Sequence, residues 1–306
     1  MKALRRKRKK MTTGDMIFSG IIYFLLLLLT FITLYPILHV VFASVSDPVR
    51  LMRHNGILFK PLGFTTEGYK IVFRDSRILT GYKNTLIYVS LGTLINMLMT
   101  IMAAFTLSRK KLGLKRVFTI FITITMFFGG GLIPWFLVVQ GLGMTNNLAS
   151  MVIPTAINTW NIILMRTGFQ RIPRELEEAA EVDGASQLYI LAMIYVPLSK
   201  AIVAVIFMYY LVGNWNSWFN PMILLKDRDK FPLQLFLREI LVLNEASGGT
   251  AGGALNTNVS STIGTTAYRE LVKYSTIVVA TVPIVMVYPF LQKYFMKGVF
   301  VGSIKG

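Results

Sequence analysis

Long stretches without a formal charge, separated by short polar clusters, set the pattern of this chain. Between Asp15 and Asp47 no residue is charged, and Leu, Ile and Phe dominate. About 20 apolar residues let a helix cross roughly 30 Å of hydrocarbon, so this run predicts a first membrane span with length to spare for tilt. A second uncharged run lies between Lys83 and Arg109, and a third extends from Val117 to Met165. The third is too long for one span, and the polar, Gly-bearing stretch QGLGMTNN (140–147) divides it into a third and a fourth. A fifth span runs roughly from Ile194 to Trp218, with Pro197 near its start and Trp215 and Trp218 placed like interfacial anchors. The sixth covers about Tyr274 to Gln292. The pattern thus predicts an all-α membrane protein: a six-helix domain over residues 16–293 between an N-terminal segment (1–15) and a tail (294–306).

Charge orients these spans. Seven of residues 1 to 10 are Lys or Arg, which keeps the N-terminus cytoplasmic under the positive-inside rule. A cleaved signal peptide does not fit, because the apolar run is too long and lacks a small-residue cleavage site. The segment SRKKLGLKR (108–116) holds five basic residues and no acid, and Lys293 and Lys297 follow the sixth span. Six spans with both termini inside is self-consistent. The external segment 44–83 carries seven Lys or Arg against three acids, a conflict that long translocated loops tolerate. The second long external segment (219–270) holds PLQLFLREILVL (232–243), which predicts an amphipathic helix. The Gly, Ser, Thr and Asn-rich stretch 244–266 after it predicts a mobile loop, either a connector or a docking element.

Composition removes several function classes. The chain is 54% apolar and 15% charged over 306 residues, whereas soluble domains carry about 25% charged residues. Absent cysteine excludes disulfide scaffolds, thiolate metal sites and cysteine nucleophiles, and two histidines are too few for a zinc site. A net charge of +18 would suggest nucleic acid in a soluble protein, but here the basic clusters flank spans. His39 reads as a packed residue of the first span, and Lys200 is placed to snorkel.

One segment breaks the charge pattern. Five of the fourteen acids, Glu175, Glu177, Glu178, Glu181 and Asp183, fall within nine positions of the loop between the fourth and fifth spans. Cytoplasmic loops favour Lys and Arg, so this cluster is either a solvated acidic helix or the complement of a basic surface on another protein. Pro173 sits where a helix begins, the acids suit a helix N-terminus, Gly184 ends it, and a second short helix can start near Ser186.

The string EEAAEVDGASQLYILAMIYVP (177–197) resembles the EAA signature of permeases of ATP-binding-cassette importers. Glu178, Ala179, Ala180, Gly184, Ile194 and Pro197 fall at the spacings of that pattern, and Val196 replaces its usual Leu. Over essentially the whole chain the resemblance is to maltose-type sugar permeases, within them to the lipoprotein-linked polysaccharide and oligosaccharide permeases. The closing GVFVGSIKG (298–306) is similar to the tail of that family's smaller permease subunit. The resemblance implies a type I importer permease in a bacterial plasma membrane, importing carbohydrate. Its implied partners are a second homologous permease, two copies of a cytoplasmic ATPase that binds ATP and magnesium, and an extracellular solute-binding lipoprotein. It implies no cofactor and no catalytic residue in this chain. It also implies that Glu177, Glu178, Ala179, Ala180, Asp183, Gly184 and Pro197 form a coupling helix and its exit.

Sugars are held by aromatic faces with amide hydrogen-bond partners, which makes Asn214, Trp215, Asn216 and Trp218 candidate substrate contacts. An aromatic belt is the competing reading of these residues, above all for Trp218. Basic external loops suit an acidic oligosaccharide. The main rival function is an ion-coupled secondary transporter of a small polar solute, which would place ionisable groups at mid-membrane depth; the second to fourth spans contain none. A membrane enzyme is a second rival, and no nucleophile, carboxylate pair or metal-ligand set stands inside the spans.

Overall fold

The computed structural model describes residues 12–54, 56–109, 113–248 and 259–303. Among them no strand forms; an isolated antiparallel bridge pairs Ser46 with Phe64. The chain divides into two compact units, residues 1–72 with 254–278, and residues 73–253 with 279–306.

The first unit is built on α1 (Thr13–Ser44), which starts where the Asp15 carboxylate accepts hydrogen bonds from the N–H and hydroxyl of Thr12. Apolar residues surround α1 on all sides and its most apolar window is unburied, as expected of a helix whose solvent is lipid. Asp47 caps α2 (Pro48–Arg53) through the N–H groups of Val49 and Arg50, and α3 (Glu67–Arg74) follows. Ser44 ties these pieces together: its hydroxyl bonds the Tyr69 hydroxyl at 2.7 Å, and its carbonyl accepts from Ser275 at 3.2 Å. Ser275 lies on the last helix, α14 (Val259–Ser303), which contributes its first part to this unit and the rest to the second.

The second unit is organised around α4 (Ser76–Ser108), 33 residues with no internal proline, about 50 Å long at 1.5 Å per residue. It buries Val89, Met97, Ala104 and Phe105 together with a row of small polar residues, Thr85, Thr93, Asn96 and Thr100. Next come α5 (Lys115–Phe127), α6 (Leu132–Gly141), α7 (Leu148–Val152) and α8 (Thr159–Phe169). QGLGMTNN separates α6 from α7 where a break is expected, but neither side of it is one straight helix: α5 and α6 are bent by 114° across the Gly129–Gly131 run, and α7 and α8 are parted at Pro154. The acidic segment forms α9 (Glu175–Val182), followed by α10 (Gln187–Leu198) and α11 (Lys200–Trp215), which meet at 90°. The start of the fifth span is corrected: its straight part is α11, and Pro197 lies in the preceding helix, after a π-helical stretch at Leu191–Tyr195. A proline cannot donate to the helix ladder, and helix geometry yields beside it.

Short α12 (Phe219–Leu224) leads to α13 (Leu233–Gly248), the predicted amphipathic helix, which buries Leu233, Leu235 and Phe236. The predicted loop 244–266 is corrected at both ends, since 244–248 belong to α13 and 259–266 to α14; residues 249–258 lie outside the described residues. The expected tail from 294 is likewise helical as far as Ser303. The basic residues 1–10, Lys110 and Lys111 also fall outside the described residues. Among the described residues three helical stretches are long and apolar enough to cross a membrane, Thr13–Ser44, Ser76–Ser108 and Ala267–Pro289, or up to five if each bent pair is one span.

Candidate functional site

Two features of the second unit concentrate polar chemistry, and α4 touches both. The first is the seat of α9. Its N-cap position is Arg174, with Pro173 two residues before the first helical position where it was expected, and no side chain caps it; Glu175, Glu177 and Glu178 in the first turn complement the helix dipole instead. At the other end Gly184, with φ of 78°, takes the left-handed position that closes the helix. Its N–H donates to Glu181 O and that of Ala185 to Ala180 O, a Schellman closure. Ser186 then caps α10 through the Tyr189 N–H, where a second helix was expected to start.

Glu177 and Glu181 are four residues apart and so share one face of α9. Both reach Arg109, the residue that ends α4. Arg109 Nε donates to Glu177 Oε1 at 2.6 Å, Nη2 to Glu181 Oε1 at 2.5 Å, and Nη1 to Gln187 Oε1. The other carboxylate oxygen of Glu177 accepts from the Tyr195 hydroxyl at 2.5 Å. The Arg109 side chain is 16% exposed and that of Glu177 12%. Removing one member of a pair that far from water is costlier than breaking an exposed one, because the other charge is left buried without its partner. The guanidinium also lies 5.3 Å from the centre of the Phe105 ring, and Phe105 and Phe169 both meet Tyr195 edge-on. The last carbonyls of α4 are satisfied by cations: Arg166 Nε donates to Leu107 O, and Lys115 Nζ to Ser108 O and Arg109 O, each at 3.1 Å.

The opposite face of α9 is free of such ties. Glu178, Ala179 and Asp183 are exposed, and Val182 is 88% exposed. Leu188, Tyr189 and Met193 on α10 are exposed too, whereas Ala180 packs against the core. An acidic helix thus carries uncovered apolar side chains along one edge, an arrangement that marks interaction surfaces.

The second feature is a cavity of about 400 Å³, walled by Thr85 and Tyr88 of α4, Asn158 and Asn161 of α8 and its cap, and Tyr209 and Asn214 of α11. No charged side chain lines it. Asn158 caps α8 by accepting from the Asn161 N–H at 3.1 Å. Asn214 Nδ2 donates to Thr93 Oγ1 (3.2 Å) and Asn96 Oδ1 (3.0 Å), leaving its own oxygen for the cavity. Asn161 is 6% exposed, and among the described residues its side-chain amide has no hydrogen-bond partner; the surface it keeps open faces the cavity. An amide placed there can pair with a donor and an acceptor that enter the cavity.

Of the four expected substrate contacts, only Asn214 lines this cavity. Trp215 is 5% exposed, with its indole N–H donating to Ala280 O at 3.1 Å and its ring against Tyr82. Asn216 is exposed beyond the end of α11, and Trp218 stacks under Arg238 at 4.3 Å. Arg109, Tyr195, Asn158 and Asn161 were not anticipated. A signal for the last pair is present in N-T-W-N (158–161), an Asn cap three residues before a second Asn at the start of a helix.

A family model described as "Binding-protein-dependent transport system inner membrane component" matches residues 78–301. Protein LplC of Bacillus subtilis (strain 168) is 34% identical over 275 residues, covering 90% of each chain. The polygalacturonan/rhamnogalacturonan transport system permease protein YtcP of the same organism is 35% identical over 293 residues, covering 95% of this chain and 99% of its own. A chain of the crystal structure of a bacterial ABC transporter involved in the import of the acidic polysaccharide alginate superposes with a TM-score of 0.82 at 33% identity, covering 94% of this chain and 100% of that one.

Proposed function

The chain belongs to the family of binding-protein-dependent transport system inner membrane components, and from that premise we propose that it forms half of the translocation pathway of an ATP-driven carbohydrate importer. It is a transport subunit of an ABC importer, not an enzyme. On this reading a second homologous permease supplies the other half and two copies of a cytoplasmic ATPase bind ATP and magnesium. An extracellular solute-binding lipoprotein delivers the sugar. The spans number six, with both termini cytoplasmic: α1, α4, the α5–α6 pair, the α7–α8 pair, α11 and the apolar part of α14. The relatives that handle pectic and alginate polysaccharides favour an oligosaccharide cargo, and the basic segment 44–83 suits an acidic one.

The observation that carries this reading is the two-faced α9. One face is bound to the body of the protein by Glu177 and Glu181, and the other offers Glu178, Ala179 and Val182 outward. That outer face fits a groove on the ATPase, with Glu178 meeting a basic residue there, Ala179 permitting close approach, and Asp183 and Gly184 shaping the exit. Rigid-body movement of the ATPases then displaces α9 and drives the bundle between two access states, which requires no catalytic group in this chain. Inside the bundle Asn158, Asn161 and Asn214 offer amide partners to sugar hydroxyls, with Tyr209 as a half-exposed aromatic wall.

Reversal of charge tests the docking face. In the assembled importer Glu178→Lys is expected to reduce co-purification of the ATPase and to abolish stimulation of its hydrolysis by sugar-loaded binding protein, with membrane insertion intact. Full association and full stimulation would sink the docking role of α9.

A further inference from the structure

The two polar features are joined by one unbroken helix, and Arg109 at its end bonds two side chains of α9. We propose that Arg109 is the positioning residue through which movement of α9 reaches α4, and through α4 the cavity wall at Thr85 and Tyr88. This inference rests on the docking role of α9 argued above and goes beyond it, because it assigns the path by which a displacement travels.

The covalent routes out of α9 are compliant. Toward α8 the chain runs through the non-helical residues Gln170–Arg174. Toward α11 it runs through the turn at Gly184, the π-helical stretch Leu191–Tyr195 and the 90° bend at Ser199. Each of these breaks can absorb a displacement before it reaches the cavity. The Arg109 contact is different in kind. Three acceptors from two helices, Glu177 and Glu181 of α9 and Gln187 of α10, converge on one planar guanidinium. Such a fork fixes direction as well as distance, which a lysine cannot do. Phe105 one turn earlier backs the guanidinium, and Tyr195 holds the far oxygen of Glu177, so neither partner is free to swing. Beyond Arg109, α4 is uninterrupted helix to Ser76. A push at its end is delivered along its length, past Tyr88 and Thr85 in the cavity wall and past Thr93 and Asn96, which hold Asn214 in place. On this proposal α4 is the element that docking and cavity both bias, and the coupling it carries is what the variants below measure.

The test uses the complete importer with sugar-loaded binding protein. In Arg109→Ala the ATPase subunits are expected to co-purify as in the parent, since Arg109 lies on the face away from docking, while stimulated hydrolysis falls on the order of tenfold. Arg109→Lys is expected to recover only part of this loss. The exchange Arg109→Glu with Glu177→Arg is expected to recover more than either single change, a non-additivity that a general loss of fold would not produce. If Arg109→Ala fails to assemble, Tyr195→Phe takes its place, removing only the second bond to Glu177, with an expected loss of at least twofold. Stimulation within twofold of the parent in an assembled Arg109→Ala complex, strict additivity in the exchange, or an unchanged Tyr195→Phe would each overturn the proposal. Failure of docking itself is read separately, from the ATPase association of Glu178→Lys.

Discussion

Tyr195 and Glu177 lie eighteen residues apart on different helices, yet the phenol donates to the carboxylate at 2.5 Å on the side opposite Arg109. Glu177 is thereby held from both oxygens, and α9 is fixed to the body of the protein at its first turn. A hydrogen bond to a charged acceptor is worth about 1.5–3 kcal/mol. Tyr195→Phe keeps the ring among Phe105 and Phe169 and removes only that bond, so the expected effect is local. Amide hydrogen exchange in α9 should quicken on the order of tenfold while the core of α4 keeps its protection. Unchanged exchange in α9 would show that the hydroxyl contributes nothing to seating it.

Close approach of α8 and α11 depends on Gly168. A Cβ placed there would meet Ile202 Cγ2 at 2.6 Å, well inside contact distance, with the Ile202 Cβ at 3.2 Å. Gly168→Ala should destabilise the bundle by about 1–3 kcal/mol, the usual cost of overpacking. Trimming the opposing side chain with Ile202→Ala in the same protein should return part of that loss. Thermal melts of the four variants in detergent decide the matter, and additive losses would mean that the two residues do not meet.

Acid should loosen one loop contact. Lys230, first, and Asn146, second, hold the Asp227 carboxyl below the usual carboxylate range. Because the folded-state pKa is depressed, this contribution is present above the unfolded value of about 3.9 and is lost as the pH falls through the lower folded value. Asn146 also receives the N–H groups of Lys226 and Asp227 on its side-chain oxygen. Protection factors of those two amides should therefore drop below about pH 4, and in Asp227→Asn they should be low and independent of pH over the same range. A flat profile in the parent would count against the contact.

How much of this was legible before the structure depends on what kind of signal each feature leaves. Uncharged runs located α1 and α4 to within a few residues at the Ser44 and Ser108 ends, because lipid tolerates no charge there. The closing glycine and serine cap around α9 and α10 were legible because Gly184 and Ser186 do backbone work that few other residues can. Direction was not legible. Hydropathy averages over a window, so the bends after Phe127 and at Ser199 left no trace beyond a glycine run and a proline. Arg109 was counted as one of five basic residues setting orientation, since a charge run does not say which of its members turns inward. Asn158 and Asn161 left no comparable mark, because neutral amides neither break the charge pattern of an apolar run nor stand here beside a cluster of aromatic residues.

Asn161 offers the sharpest separation of stability from function. Its amide opens onto the cavity and makes no side-chain hydrogen bond to another described residue, so it contributes no such bond to the fold. Asn161→Leu keeps the branched shape and adds bulk only toward the cavity, and the melting temperature of the purified permease should change by less than the equivalent of about 1 kcal/mol. If the cavity receives sugar hydroxyls, the same change should raise the sugar concentration needed for half-maximal transport on the order of tenfold, the equivalent of about 1.4 kcal/mol. An unchanged melting temperature with impaired transport would identify a residue retained for binding rather than for the fold. Unchanged transport would place the cavity off the sugar's path, and a lower melting temperature would show that the amide finds a partner within the bundle.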